Sequence, residues 1–187
     1  MEADSRKKLD RLCLAMIEYD RRDPMRIQHL IKVHAFAAMI GRSEGLDEKT
    51  QRILEAAAYT HDIGIHKAEI LHGRSDGKLQ EQYGPGEAAP ILERIGFEKD
   101  DVDRICYLIG HHHTYTEIEG LDYQILVEAD FLVNLYEDNA SVVGIQNAYK
   151  NIFRTECAKK IFREMYLDAR DQEYEKWILS KEQNGEG

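Results

Sequence analysis

LEAAAYTHDIG, residues 54–64, decides how the rest of the chain is read. Leu54, Ala57, Ala58 and His61 fall three, four and seven apart, which is helical spacing, and the alanines make a face small enough for close helix approach. The run ends on His61-Asp62, an imidazole beside a carboxylate, the two side-chain types that suit a borderline or hard divalent ion. Outward from it lie two further candidates. His29 shares a helical face with Val33, Phe36 and Ile40, so it points inward; Asp130 stands four after Leu126 and three before Val133 within the apolar stretch LVEADFLVNLY. An unpartnered buried carboxylate is costly enough to take up a proton, so Asp130 needs a cation. One ion shared by His29, His61, Asp62 and Asp130 satisfies all of them, and only a helical scaffold brings positions so distant in sequence together.

The punctuation elsewhere is that of a helical bundle. Asp23-Pro24 supplies an N-cap and a first-turn proline for a helix from Met25 to Gly41, and Asp47 caps the next, which runs to about His61. Gly84-Pro85-Gly86 precedes a short helix ending near Gly96. Asp100 or Asp101 opens another that stops close to Gly110, Asp122 begins the helix carrying Asp130, and an amphipathic stretch runs from about Thr155 to Lys181. Nothing alternates like a strand. The expectation is an all-α compact bundle in a single domain, residues 1–187, with a motif-bearing core at about 24–137 and a helical extension at about 141–181. Residues 72–86 read as a long polar loop of the kind that forms lids or binding elements.

Composition limits the partners. Of 187 residues 43% are hydrophobic and 32% charged, and no apolar run approaches the ~20 residues of a membrane span. The opening MEADSRKKLDRLC has charges on both sides of its apolar residues, unlike a secretory signal, so a soluble cytoplasmic protein is expected. Cys13, Cys106 and Cys157, odd in number and each in an apolar helical pattern, read as reduced core residues. A net charge of −10 disfavours long nucleic acid, whose binding rests on Lys and Arg neutralising phosphates. A small phosphorylated molecule is compatible with it, because a metal and a few local cations reverse the field inside a pocket. Lys67, Arg74 and Lys78 are the candidate phosphate contacts. In the triplet His111-His112-His113, consecutive residues diverge by about 100° on a helix, so all three cannot face one ion; His111 and His112 are the choices for hydrogen-bonding a phosphate or moving a proton. His34, His66 and His72 read as ordinary polar positions. The residues Ile161, Phe162, Met165, Tyr166 and Trp177 pack on the domain or form a homodimer contact.

The order His29, His61-Asp62, Asp130 resembles the H…HD…D pattern of the HD-domain metal-dependent phosphohydrolases, over about Pro24 to Glu137, and HDIG at 61–64 is a common form of its central motif. The resemblance implies an all-α fold, one or two divalent ions held by these residues, and hydrolysis of phosphomonoesters or phosphodiesters, often of nucleotides. The ion would be Mn, Fe, Co, Ni, Zn or Mg, with Asp62 or a nearby histidine taking the proton of the attacking water. Two-metal relatives place a further histidine where this chain has Gly84, in GPGEAAPIL; another, some eighteen residues before the last Asp, is met by His111 or His112. One tightly held metal is therefore expected. The alternatives are a non-catalytic module that binds a nucleotide or a partner, and a di-iron oxygenase, which needs more histidine ligands.

Overall fold

The computed structural model describes residues 3–167, which form nine helices and no strand. In order these are α1 (Ala3–Tyr19), α2 (Pro24–Ser43), α3 (Glu48–Thr60), α4 (Gly64–His72), α5 (Gly77–Ile95), α6 (Lys99–Ile109), α7 (Leu121–Glu137), α8 (Val142–Asn151) and α9 (Glu156–Tyr166). Among them no helix is long and apolar enough to cross a membrane.

α3 is the axis of the bundle, with α1, α2, α6 and α7 packed around it. Its Leu54, Ala56, Ala57 and Ala58 have no exposed surface, and only alanine-sized side chains let neighbours close in on so many sides. The helix begins where Asp47 accepts hydrogen bonds from the Lys49 and Thr50 amides, at 3.0 and 3.1 Å. α2 starts in the same way: Asp23 accepts from the Arg26 amide at 3.1 Å and Pro24 takes the position whose missing N–H costs nothing. His29, on the inner face of α2, and Asp130, in the middle of the mostly buried α7, are thereby carried to the end of α3 where His61 stands.

Residues 72–86 depart from the sequence reading. After the His61-Asp62 turn the chain re-enters helix as α4, pauses only over residues 73–76, and from Gly77 runs in one helix through Gly84-Pro85-Gly86 and Pro90 to Ile95. Glycine and proline inside a helix cost about 1 and 3 kcal/mol relative to alanine, which is why the segment looks like a break. Packing outweighs that cost. A Cβ on Gly64 would lie 2.5 Å from the Gln80 carbonyl, and one on Gly84 2.4 Å from the Ile109 methyl, so the glycines let α4, α5 and α6 cross closely. Below them Ala88 and Leu92 are fully buried. Gly84 also spares α5 the clash that a side chain before Pro85 would bring.

Two smaller corrections come from carboxylates used for tertiary ion pairs. Asp100 and Asp101 sit in the first turn of α6, not at its cap, and buried Asp101 accepts from Arg52 at 2.7 Å. α7 starts at Leu121 behind Gly120, whose φ of 94° favours glycine, while Asp122 accepts from Arg104 Nη2 and Nε at 2.7 and 2.9 Å. The N-terminal segment, read only for its lack of an apolar block, forms α1. Cys13, Cys106 and Cys157 form no disulfide and are half-buried, Cys106 and Cys157 packing against the edge of the core. Of the expected 155–181 stretch, α9 is capped by Thr155 and buries Phe162, while Met165 is exposed and Tyr166 bonds the Leu132 carbonyl at 2.5 Å. Trp177 and Lys181 lie outside the described residues.

Candidate metal centre

Three elements deliver the site. His29 comes from α2, His61-Asp62 from the end of α3, and Asp130 from α7. The His29 and His61 Nε2 atoms are 3.2 Å apart, and the Asp130 Oδ1 atom is 3.2 Å from the first and 3.4 Å from the second. Asp62 Oδ2 lies 3.5 Å from both. His29, His61 and Asp130 are buried; Asp62, with 29% of its side chain exposed, is the face of the site that meets solvent.

The imidazoles are held from behind. His29 Nδ1 faces Glu137 Oε2 at 2.8 Å, His61 Nδ1 faces the Ala58 carbonyl at 3.0 Å, and His112 Nδ1 faces the Ile109 carbonyl at 2.7 Å. Each acceptor assigns the hydrogen to Nδ1 and leaves a lone pair on Nε2 when the ring is neutral. Two such lone pairs and two carboxylates converging in a buried space repel one another unless a cation lies between them. With ligand bonds of ~2.1 Å, neighbouring donors in a tetrahedral or octahedral sphere are about 3.0–3.4 Å apart, close to the spacings seen. The donor set therefore fits a divalent ion. Without one, the protein makes the charge from protons. Burial alone would lower the His61 pKa, but Asp62 and Asp130 raise it to about 9. His29 is raised too, burial being outweighed chiefly by Asp130. Asp62 and Asp130 are held below the ordinary carboxylate range: burial opposes their charge, and the facing histidines, His112 included for Asp62, more than offset it.

A second cluster, Asp62, His112 and His113, adjoins the first through Asp62, whose Oδ2 faces His29 and His61. His112 is buried, its Nε2 makes no hydrogen bond, and the nearest carboxylate oxygen, Asp62 Oδ1, is 3.5 Å away. His113 is occupied at both ring nitrogens, by Gln80 Oε1 at 2.8 Å and the Tyr115 hydroxyl at 3.2 Å, while its amide donates to Glu81. Burial, reinforced by neighbouring His112, pushes its pKa down to about 4, so the ring is neutral.

Among the sequence candidates, His29, His61, Asp62 and Asp130 come together and His112 joins them. His111 does not. Its Nδ1 bonds the Tyr107 carbonyl at 2.7 Å and its ring stacks on Tyr107, which turns it away from both clusters. Lys67 is paired with Glu87 at 2.7 Å, exposed Arg74 is 3.3 Å from Asp76, and Lys78 is exposed in the first turn of α5. His34 bonds Glu55, His66 bonds Asp20 and His72 bonds Tyr83.

Sequence reasoning missed four residues. His113, not His111, is the second member of the triplet at the site. Tyr115 touches it. Arg26 lines a small cavity with His29 and Asp62, and its position one turn before His29 was the signal. Glu137 completes a polar stripe on α7 with Asp130 and Asn134, spaced four and three apart, and Asn134 donates to Asp130 at 2.9 Å.

Fold and site together define an all-helical protein with a buried histidine-aspartate centre suited to a divalent ion. The sequence matches the HD domain over residues 26–179, and the chain belongs to that family, one of metal-dependent hydrolases. It is similar to the crystal structure of a predicted HD superfamily hydrolase from an uncultured Thermotogales bacterium, with a TM-score of 0.58 and 27% identity, over 94% of this chain and 91% of that one. No curated protein matches the chain.

Proposed function

We propose that the protein is a phosphoric ester hydrolase that uses one divalent metal ion on a small phosphorylated molecule, a nucleotide phosphomonoester or phosphodiester. The convergence of His29, His61 and Asp130, with Asp62 Oδ2 3.5 Å from both imidazoles, carries this reading. A divalent ion supplies the Lewis acidity, acidifying a water and polarising the phosphoryl group. The chain does the rest. His29, His61 and Asp130 hold the ion from the buried side, and Asp62, on the open side, leaves the approach to solvent and substrate. Asp62 is too acidic to be a strong base; the bare Nε2 of His112, 3.5 Å from it, is the better-placed acceptor for the proton of the attacking water. As the water oxygen bonds phosphorus the ester P–O bond breaks, and the departing oxygen takes a proton delivered through His112 or from solvent. Arg26 lines the small cavity beside His29 and Asp62, its guanidinium held by Glu69 at 2.6 Å and by His66 at 3.0 Å. Tyr115 is half-exposed against Phe131, next to Asp130, and offers an aromatic edge suited to a nucleobase.

The geometry disfavours the oxygenase alternative, since Gly84 stands where a further histidine ligand would be needed and its side-chain space is filled by Ile109. Phosphate release from a panel of nucleoside monophosphates, cyclic nucleotides and sugar phosphates, with Mn, Co, Ni, Mg, Zn or Fe and with chelator, tests the reading. Metal-dependent release that is lost in Asp130→Ala supports it. Tight nucleotide binding without turnover under every metal would replace it with the binding-module reading.

A further inference from the structure

His29 differs from the other imidazoles of the site in what fixes it. His61 and His112 rest on neutral backbone carbonyls of their own helices, Ala58 and Ile109. His29 instead meets a carboxylate 108 residues away, Glu137 Oε2, at 2.8 Å. Glu137 is the last residue of α7, two turns beyond Asp130, so one helix supplies both the carboxylate at the front of His29 and the one behind it. The other Glu137 oxygen is engaged by Lys32, one turn along α2 from His29. Glu137 keeps only 20% of its side chain exposed, which limits the water that would otherwise screen its charge.

From these contacts we infer that Glu137 is a positioning residue for the metal centre. It holds His29 in the tautomer with a bare Nε2, fixes the ring's orientation, and makes that nitrogen a stronger donor by placing negative charge behind it. Lys32 occupies the other carboxylate oxygen and is not needed for the contact with the ring. A backbone carbonyl does the first two things for His61, but only a full negative charge does the third. Lys32→Met leaves the Glu137–His29 contact in place, so it separates the loss of that contact from a general disturbance where α2 meets α7.

The inference rests on the metal reading above, and titration of the metal-free protein with Co2+, followed by its visible spectrum and by calorimetry, tests the two separately. Wild-type protein that binds no Co2+ would remove the metal reading itself. If it binds, Glu137→Ala is expected to weaken affinity by about 10–100-fold. Glu137→Gln, which keeps an acceptor oxygen without the charge, should fall between, and Lys32→Met should change affinity by less than about threefold. Metal-free melting temperatures should stay close to wild type throughout. Should Glu137→Ala fail to fold, the Gln variant decides. Affinity in Glu137→Gln equal to wild type, or weakening in Lys32→Met as large as in the glutamate variants, overturns the inference.

Discussion

The two halves of the site contain the same kinds of side chain and differ in what their lone pairs are doing. In the half made by His29, His61 and Asp130, each imidazole is secured at Nδ1 and its Nε2 is turned toward the others. In the half made by Asp62, His112 and His113, one nitrogen is bare while both of those on His113 are engaged, and the neighbouring helix position is a glycine with no room for a side chain. Ligand-type residues close together are thus not yet a site. What counts is free lone pairs aimed at one point and held there from behind.

The largest expected effect tests that contrast directly. Four-ligand zinc sites bind with roughly 10–16 kcal/mol, so one ligand is worth about 3 kcal/mol, on the order of a hundredfold in affinity. Asp130→Ala or His61→Ala should lose at least that much and with it all turnover, while His113→Ala should bind the tight ion as wild type does. Equal losses in calorimetry would erase the distinction between the halves.

The next effect is in pH. The His61 pKa is raised to about 9 without metal, above an unfolded value of ~6.5. The sign follows: the charged ring's contribution is complete below ~6.5 and disappears as pH rises to about 9, a change of at most about 3 kcal/mol. Metal-free protein should melt at lower temperature across that window, whereas metal-loaded protein should not, since binding the ion releases those protons. Metal-free protein that gains stability from pH 6.5 to 9 would show that these carboxylates do not govern His61.

Gly84 comes third. Its Cβ would sit 2.4 Å from the Ile109 methyl, so Gly84→Ala should cost about 1–3 kcal/mol in thermal or denaturant unfolding, relieved in part by Ile109→Ala. Gly84→His that folds at wild-type stability and takes a second ion would mean this half was closed by composition alone. Smallest is Tyr115→Phe. Its hydroxyl caps His113, and a neutral hydrogen bond is worth about 1 kcal/mol, so removing it should strengthen weak binding of a second ion by roughly fivefold. Unchanged second-ion affinity would place the block elsewhere, at Gln80.

Much of this was legible from the chain. The caps Asp23 and Asp47 act locally, through amides two or three residues away, so the starts of α2 and α3 could be read from a few letters. His29 and Asp130 showed themselves as polar residues on apolar faces. The 77–86 segment was illegible because its glycines and prolines oppose helix locally, and what favours the helix, close crossing against Gly64 and Ile109, lies in other elements. Which members of the His111–His113 triplet face the site was hidden too. The helix ends at Ile109 and the chain turns, so the choice depends on Tyr107, Gln80 and Tyr115 partners no periodicity reveals. Glu137 was readable in principle, as the third polar residue of a stripe on α7.

Anomalous diffraction at the manganese edge, from crystals grown with Mn2+, tests the central claim most directly. The account predicts a strong peak within bonding distance of His29 Nε2, His61 Nε2 and carboxylate oxygens of Asp62 and Asp130. A map with no peak there, or with its only strong peak between His112 and His113, would contradict it.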